Sequence, residues 1–331
     1  TAYDTTKLFH QSEQDLKRRM RAPWWLGVVS AHMLQLASAR VLLNGGSRGR
    51  QAKHACGVVM MSWGQSYTQT AMGEAARVRA LPAEKGWCPL DPQLDHVPVA
   101  LFTDVPEKDL EAYANGLHGV EIHPESELPA WTHEAAQAPG TMRAGQSQKM
   151  KWYHPHVILK SPYTLTLYLD VDAQLCSAGG FTRLATKLLQ QHAHVGALKV
   201  AKNEELYVNG DEVPPGFVNF GSEKKLWSSF HEYNSGVMMV DTRRAWPVLT
   251  GWARAIERTI HRTGRDQYGL REALFMNRRL VKHMSFDDAE VCRYISNTCT
   301  DGRCAVDHHR WNAVKQTVQF KKWTPQWLKP M

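Results

Sequence analysis

Asp170 and Asp172 are the residues of this chain whose type and spacing point most directly to chemistry. They close the run Leu167-Tyr168-Leu169-Asp170-Val171-Asp172, in which an apolar strand delivers two carboxylates where it ends. If the extended geometry persists past Leu169, both carboxylates point to one side of the chain. Two hard oxygen ligands suit Mn²⁺ or Mg²⁺, and a cation so held also binds a diphosphate. The plainer reading of such a pair is a strand-terminating turn, in which each carboxylate caps its own backbone. The apolar strand before it favours the metal.

Such a pair needs a scaffold, and the preceding sequence reads as one. Gly57-Val58-Val59-Met60-Met61 is a short apolar run suited to a buried strand, and it ends in Ser62-Trp63-Gly64. Thr70 to Leu81 predicts a helix. Val97 to Phe102 predicts a second strand, stopped by Thr103-Asp104, and Leu117 to His123 a third. Ser147 to Leu159 reads as a helix interrupted near Pro155, and Leu165 to Leu169 as the fourth strand. Strands alternating with helices imply an α/β fold with a mainly parallel sheet, whose ligands gather at the carboxyl ends of its strands. Trp63, Asp104, Asp170 and Asp172 all stand at such ends. The aromatics of the loop Ser62 to Tyr67 are suited to stacking on a base or sugar. In the second half, Val195 to Val200 and Ser235 to Val240 read as strands, Asp211 to Phe220 as a loop, and Pro247 to His261 and Asp266 to Arg278 as helices.

Length and charge bound the rest. The chain has 331 residues, 43% of them hydrophobic, enough for a large core. The net charge of +8 is spread in small groups such as Lys17-Arg18-Arg19 and Lys321-Lys322. No zinc finger, arginine-rich arm or aromatic RNA-binding signature accompanies it, so a nucleic-acid partner is not expected. Residues 1–52 read as a helical extension and linker, 53–310 as the main domain, and 311–331 as a tail. Between Arg21 and Arg40 no charged residue occurs. A membrane anchor there competes with a packed or amphipathic helix, which the polar Ser30, His32, Gln35 and Ser38 favour.

Three blocks in order resemble GT-A-fold nucleotide-diphospho-sugar glycosyltransferases. Tyr168-Leu169-Asp170-Val171-Asp172 is similar to their metal motif. His231-Glu232-Tyr233-Asn234-Ser235-Gly236-Val237-Met238-Met239 resembles a block of the glycogenin-like and bacterial lipooligosaccharide galactosyltransferases, and Asp266-Gln267-Tyr268-Gly269-Leu270 their later Asp-Gln block. The resemblance spans about residues 55 to 310 and extends to related transferases of plants and algae. It implies a GT-A fold and a metal, Mn²⁺ or Mg²⁺, on Asp170, Asp172 and a terminal His, here His308 in preference to His309. It implies a nucleotide-sugar donor, with UDP as the nucleotide, and a glycan or glycoprotein acceptor. Asp170 would also meet the ribose. Asn234 and Gly236 would line the sugar and acceptor side, and Asp266 and Gln267 would stand beside the transferred sugar. A cation from the helix before the metal strand, Lys149 or Lys151, would meet the donor. The blocks resemble retaining enzymes. The glycogenin-type ending His-x-x-Gly-x-x-Lys-Pro-Trp is absent, and Arg310 or Lys315 would have to replace its lysine.

The alternative is a glycosyltransferase-like, non-catalytic subunit of a larger assembly, such as an organellar one, with protein partners on the two extensions. Six cysteines permit disulfides and hence the secretory lumen, with the Golgi the expected compartment. Cys292, Cys299, Cys304 and His308 offer a competing zinc set, although their spacing fits no compact finger.

Overall fold

The computed structural model describes residues 52–110, 119–130, 142–200, 226–263, 266–293, 299, 302 and 304–308. The expected N-terminal helix and possible anchor, the loop at Asp211 to Phe220, His309, Arg310, Lys315 and the C-terminal tail lie outside them. Among the described residues no helix is long and apolar enough to cross a membrane.

The elements follow in the order β1 (His54–Ser62), α1 (Gln65–Arg79), β2 (Val99–Thr103), α2 (Glu107–Leu110), β3 (Val120–Pro124), α3 (Met142–Leu159), β4 (Tyr163–Leu169), β5 (Ala173–Leu175) and α4 (Ala178–Gln190). Then come β6 (Val195–Lys199), β7 (Tyr233–Asp241), α5 (Trp246–Thr263), α6 (Asp266–Asn277), β8 (His283–Phe286), β9 (Val291–Arg293) and β10 (Val306–His308). Seven strands form one sheet in the order β3-β2-β1-β4-β7-β6-β8. Neighbours within β3-β2-β1-β4, and the pair β6-β8, are parallel. Only β7 runs against both its neighbours. The expected mainly parallel α/β sheet is therefore present, and β4, which carries the paired aspartates, is its central strand.

Alternation along each strand divides the core into two layers. Cys56, Val58 and Met60 of β1 and Leu165, Leu167 and Leu169 of β4 face one side, where Ala71, Ala75 and Val78 of α1 and Phe181, Leu184 and Leu188 of α4 cover them. Val59 and Met61 of β1, Tyr168 of β4 and Met238 and Val240 of β7 face the other, under α3, α5 and α6. Burial on both faces makes these strands continuous apolar runs. Each buried side chain of leucine size contributes roughly 1.5–3 kcal/mol.

Helix α3 does not break at Pro155 as expected; it continues from Met142 to Leu159. The proline removes one backbone donor, that opposite the Lys151 carbonyl. Trp152, Tyr153, Val157 and Ile158 are buried around it, and their packing outweighs that loss. Helices α2 and α4 and strands β5, β8, β9 and β10 are additions to the sequence reading. Ser177 caps α4, its Oγ accepting from the Gly180 N–H at 3.0 Å. Gly180 is required there because a Cβ would stand 2.7 Å from the Ala305 carbonyl oxygen.

A second, three-stranded sheet has the order β5-β10-β9. β5 is antiparallel to β10 and β10 parallel to β9. Cys176–Cys299 ties the end of β5 to the segment between β9 and β10, and Cys292–Cys304 ties β9 to the approach of β10. Cys56–Cys88 joins β1 to the segment after α1.

Candidate metal and donor site

β4 ends at Leu169, and the chain turns at once: the Ala173 N–H donates to the Asp170 carbonyl at 2.9 Å, and the Asp170 N–H to the Gly236 carbonyl at 2.8 Å. The extended geometry does not persist past Leu169, and the tight turn that replaces it still brings both carboxylates to one place. The turn feeds directly into β5, where Ala173 pairs with His308 of β10. That register sets His308 beside Asp172, with Nε2 3.5 Å from Asp172 Oδ1. One ligand atom each from Asp170, Asp172 and His308 lies within 4.8 Å of the others.

Two carboxylates and one imidazole make a hard, oxygen-rich set that fits Mn²⁺ or Mg²⁺. The electrostatics agree with that fit. Burial first, and the neighbouring Asp172, push the Asp170 carboxyl above its usual range, against the opposing pull of His154 and His308. A cation is the species that relieves such crowding of negative charge. Tyr168 donates its hydroxyl to Asp170 Oδ1 at 2.8 Å, and burial together with Asp170 keeps that phenol protonated far above its ordinary range. Gly236 leaves the room: a Cβ there would lie 2.6 Å from Asp170 Oδ2 and 3.0 Å from His308 Nε2. Its N–H donates to Asn234 Oδ1 at 2.9 Å, within β7 where the pairing with β6 shifts register between Ala197 and Leu198, so Asn234 helps fix the strand backbone that sets this glycine against the ligands.

The small sheet is held from its other side by α1. Buried Glu74 accepts the Leu175 N–H at 3.2 Å, while Arg77 pairs with Glu74 and donates to the Leu175 carbonyl. Burial raises the Glu74 carboxyl above its ordinary pKa despite the Arg77 guanidinium. The zinc alternative for the late cysteines falls here. Cys292 is bonded to Cys304 and Cys299 to Cys176, so no thiolate of that set remains to bind a metal.

A second polar centre lies within electrostatic reach of the first. Asp266, the first residue of α6, is buried, and its Oδ2 accepts from His154 Nδ1 and from Ser235 Oγ, each at 2.8 Å. Burial would raise its pKa, but the His154 hydrogen bond and charge, the Lys151 charge and Ser235 together hold it below the ordinary carboxylate value. Gln267 follows it, half-buried. Of the pair Lys149 and Lys151, Lys151 is the one whose charge acts on Asp266. Lys149 instead reaches Glu125, 2.7 Å from Oε1. Glu125 also accepts from the Tyr153 hydroxyl at 2.7 Å and the Trp63 indole N–H at 3.3 Å. Burial opposes its ionisation, but these donors bring its pKa down.

Trp63 is buried, one face stacked on Tyr153 with ring centroids 4.9 Å apart, while Tyr67 is exposed on the first turn of α1, which begins at Gln65 and so replaces most of the expected loop. Asp104 accepts the Gly64 N–H at 2.7 Å and so joins the ends of β1 and β2. The sequence reading passed over His154 and Glu125. His154 stands one helical turn after Lys151, so the two share a face, and this spacing was the available signal.

No protein-family model matches the chain, and no curated protein matches it. Similar solved structures exist. Mouse xyloside xylosyltransferase 1 in its apo form is 12% identical over 79% of this chain and 98% of that one, with a TM-score of 0.46. The glycosyltransferase GlyE of Streptococcus pneumoniae TIGR4 is 13% identical over 72% of this chain and 46% of its own, with a TM-score of 0.39. A glycosyltransferase involved in glycosylation of the major capsid of PBCV-1 is 12% identical over 81% of this chain and 99% of its own, with a TM-score of 0.41. At such identity and score none of the three decides the function of this chain.

Proposed function

We propose that the chain is a metal-dependent glycosyltransferase that moves a sugar from a nucleoside-diphosphate donor, UDP-linked by resemblance, to a glycan or glycoprotein acceptor. The observation that carries this is the convergence of Asp170, Asp172 and His308 at the carboxyl end of the central strand, with Asp266 in electrostatic reach. Bound there, Mn²⁺ or Mg²⁺ would supply charge neutralisation for the departing diphosphate. Asp170, Asp172 and His308 hold the cation, and Gly236 keeps the approach open. Lys151 and Asp266 provide fixed charges of opposite sign beside the position of the donor sugar, and Gln267 adds an amide. Preorganised groups of this kind stabilise an oxocarbenium-like centre without reorganising as it forms.

The outcome expected is retention, as in the enzymes whose blocks the chain resembles. No carboxylate is marked as a covalent nucleophile, which favours front-face attack by the acceptor hydroxyl. Three disulfides support an oxidising compartment, and the secretory lumen, the Golgi in particular, is the proposed location. The test is incubation with a panel of sugar nucleotides and Mn²⁺, scored for donor hydrolysis or transfer, with NMR of the product anomer. Metal-dependent turnover of one donor is expected. Silence with every donor, alongside stable incorporation into a complex, would favour a non-catalytic subunit, and an inverted product would reject retention.

A further inference from the structure

We infer that His154 is a positioning residue for Asp266, fixing its carboxylate so that the oxygen left over, Oδ1, presents to the hydroxyls of the donor sugar. The inference rests on the proposed glycosyl transfer and extends it to a residue outside all three motif blocks. His154 sits on α3, is 2% exposed, and reaches across to the first residue of α6. An ionised carboxylate only accepts hydrogen bonds, so His154 Nδ1 must carry the proton it shares with Asp266 Oδ2. Ser235 of β7 donates to the same oxygen. The Trp252 indole N–H, from α5, holds the backbone carbonyl of Asp266 at 2.8 Å. Three elements, α3, β7 and α5, thus converge on the aspartate that opens α6, and both side-chain bonds fall on Oδ2.

The imidazole itself is held by packing. Its ring lies 4.0 Å from that of Tyr168 and 4.8 Å from that of Trp252, centroid to centroid. Tyr168 is the residue that donates to Asp170, so the clamp on Asp266 leans on the support of the metal motif. His154 Nε2 is buried with no hydrogen-bond partner. Leaving a buried polar atom unsatisfied is costly, and a core that needed only volume here would be served by an aromatic hydrocarbon. The single engaged nitrogen, aimed at Asp266, is the feature that an ordinary core residue would not require.

Two variants and a spectroscopic readout test this. His154→Phe keeps a ring but loses the donor, and His154→Asn restores an amide N–H close to the Nδ1 position. Binding of UDP with Mn²⁺, followed by calorimetry, should stay within about threefold of the parent in both, because it draws on Asp170, Asp172 and His308. Turnover of the donor found in the panel should fall by about 100-fold in His154→Phe, the scale expected when a reacting group is misplaced, and recover at least about tenfold in His154→Asn. Nitrogen-edited NMR of the histidine side chains should find His154 as the Nδ1–H tautomer, and its signals should shift in Asp266→Ala. Unchanged turnover in His154→Phe, loss of UDP binding in step with turnover, or an Nε2–H tautomer would each overturn the assignment. If no donor reacts, the tautomer still decides the His154–Asp266 link, while the glycosyl-transfer reading fails separately.

Discussion

The two sheets that meet at the candidate metal site are built on different principles. The seven-stranded sheet holds β4 by hydrogen bonds on both edges and apolar layers on both faces. The three-stranded sheet has strands of three residues each, too short to hold themselves, and it is fastened by Cys176–Cys299, Cys292–Cys304 and the Glu74–Arg77 grip on Leu175. Asp170 comes from the end of the first sheet and His308 from the second, with Asp172 on the turn between them. One half of the site is positioned by burial, the other by covalent and ionic fastening, so the two halves should fail under different perturbations.

The largest effect is expected from the first kind. Leu167→Ala empties a fully buried position of β4 and should destabilise the whole domain by about 2–5 kcal/mol in chemical denaturation. Unfolding should remain one transition, because the central strand belongs to every layer. Next comes the fastening. Alanine at both Cys292 and Cys304 should cost about 2–4 kcal/mol and weaken Mn²⁺ binding by at least about tenfold, with the far-ultraviolet circular dichroism of the main sheet preserved. Equal loss of both signals would erase the distinction between the two sheets. Gly236→Ala acts where the halves touch. Its Cβ would crowd Asp170 and His308, so about 1–3 kcal/mol of strain should appear as a melting temperature lower by several degrees, together with loss of metal-dependent UDP binding in the still-folded protein.

The smallest effect concerns pH and a carboxylate outside the metal set. Glu125 has a depressed pKa in the folded chain, so its stabilisation is fully present above the unfolded carboxyl value of about 4.3 and is lost as pH falls through the folded value. Glu125→Gln should therefore be less stable than the parent at neutral pH, and the gap should narrow below about pH 4.3. A gap that widens on acidification would contradict the sign of that shift.

Much of the first sheet was legible because a strand buried on both faces must be apolar throughout, as Val58 to Met61 and Leu165 to Leu169 are. The end of such a run also announces where ligands gather, which is how Asp170 and Asp172 were found. The second sheet left no such pattern. Val306-Asp307-His308 is too short for a period, and its position is set by pairing with Ala173, distant in sequence, and by disulfides whose partners spacing cannot assign. Helix α4 carries Gly179-Gly180 in its first turn, residues of weak helix propensity, and only the close approach to Ala305 explains the second glycine. Pro155 misled because tertiary burial overrode a local rule. His154 shares a helix face with Lys151, but that spacing alone gives it no role: a single histidine on a helix acquires its meaning from Asp266, which reaches it from another element.

Calorimetric titration with Mn²⁺ and UDP of the parent chain, Asp172→Ala and His308→Ala tests most directly the claim that the site is shared between the two sheets. Binding at one equivalent by the parent, lost to a similar extent in both variants, is the predicted result. Parental affinity in His308→Ala would remove the small sheet from the site, and parental affinity in Asp172→Ala would remove the metal motif itself.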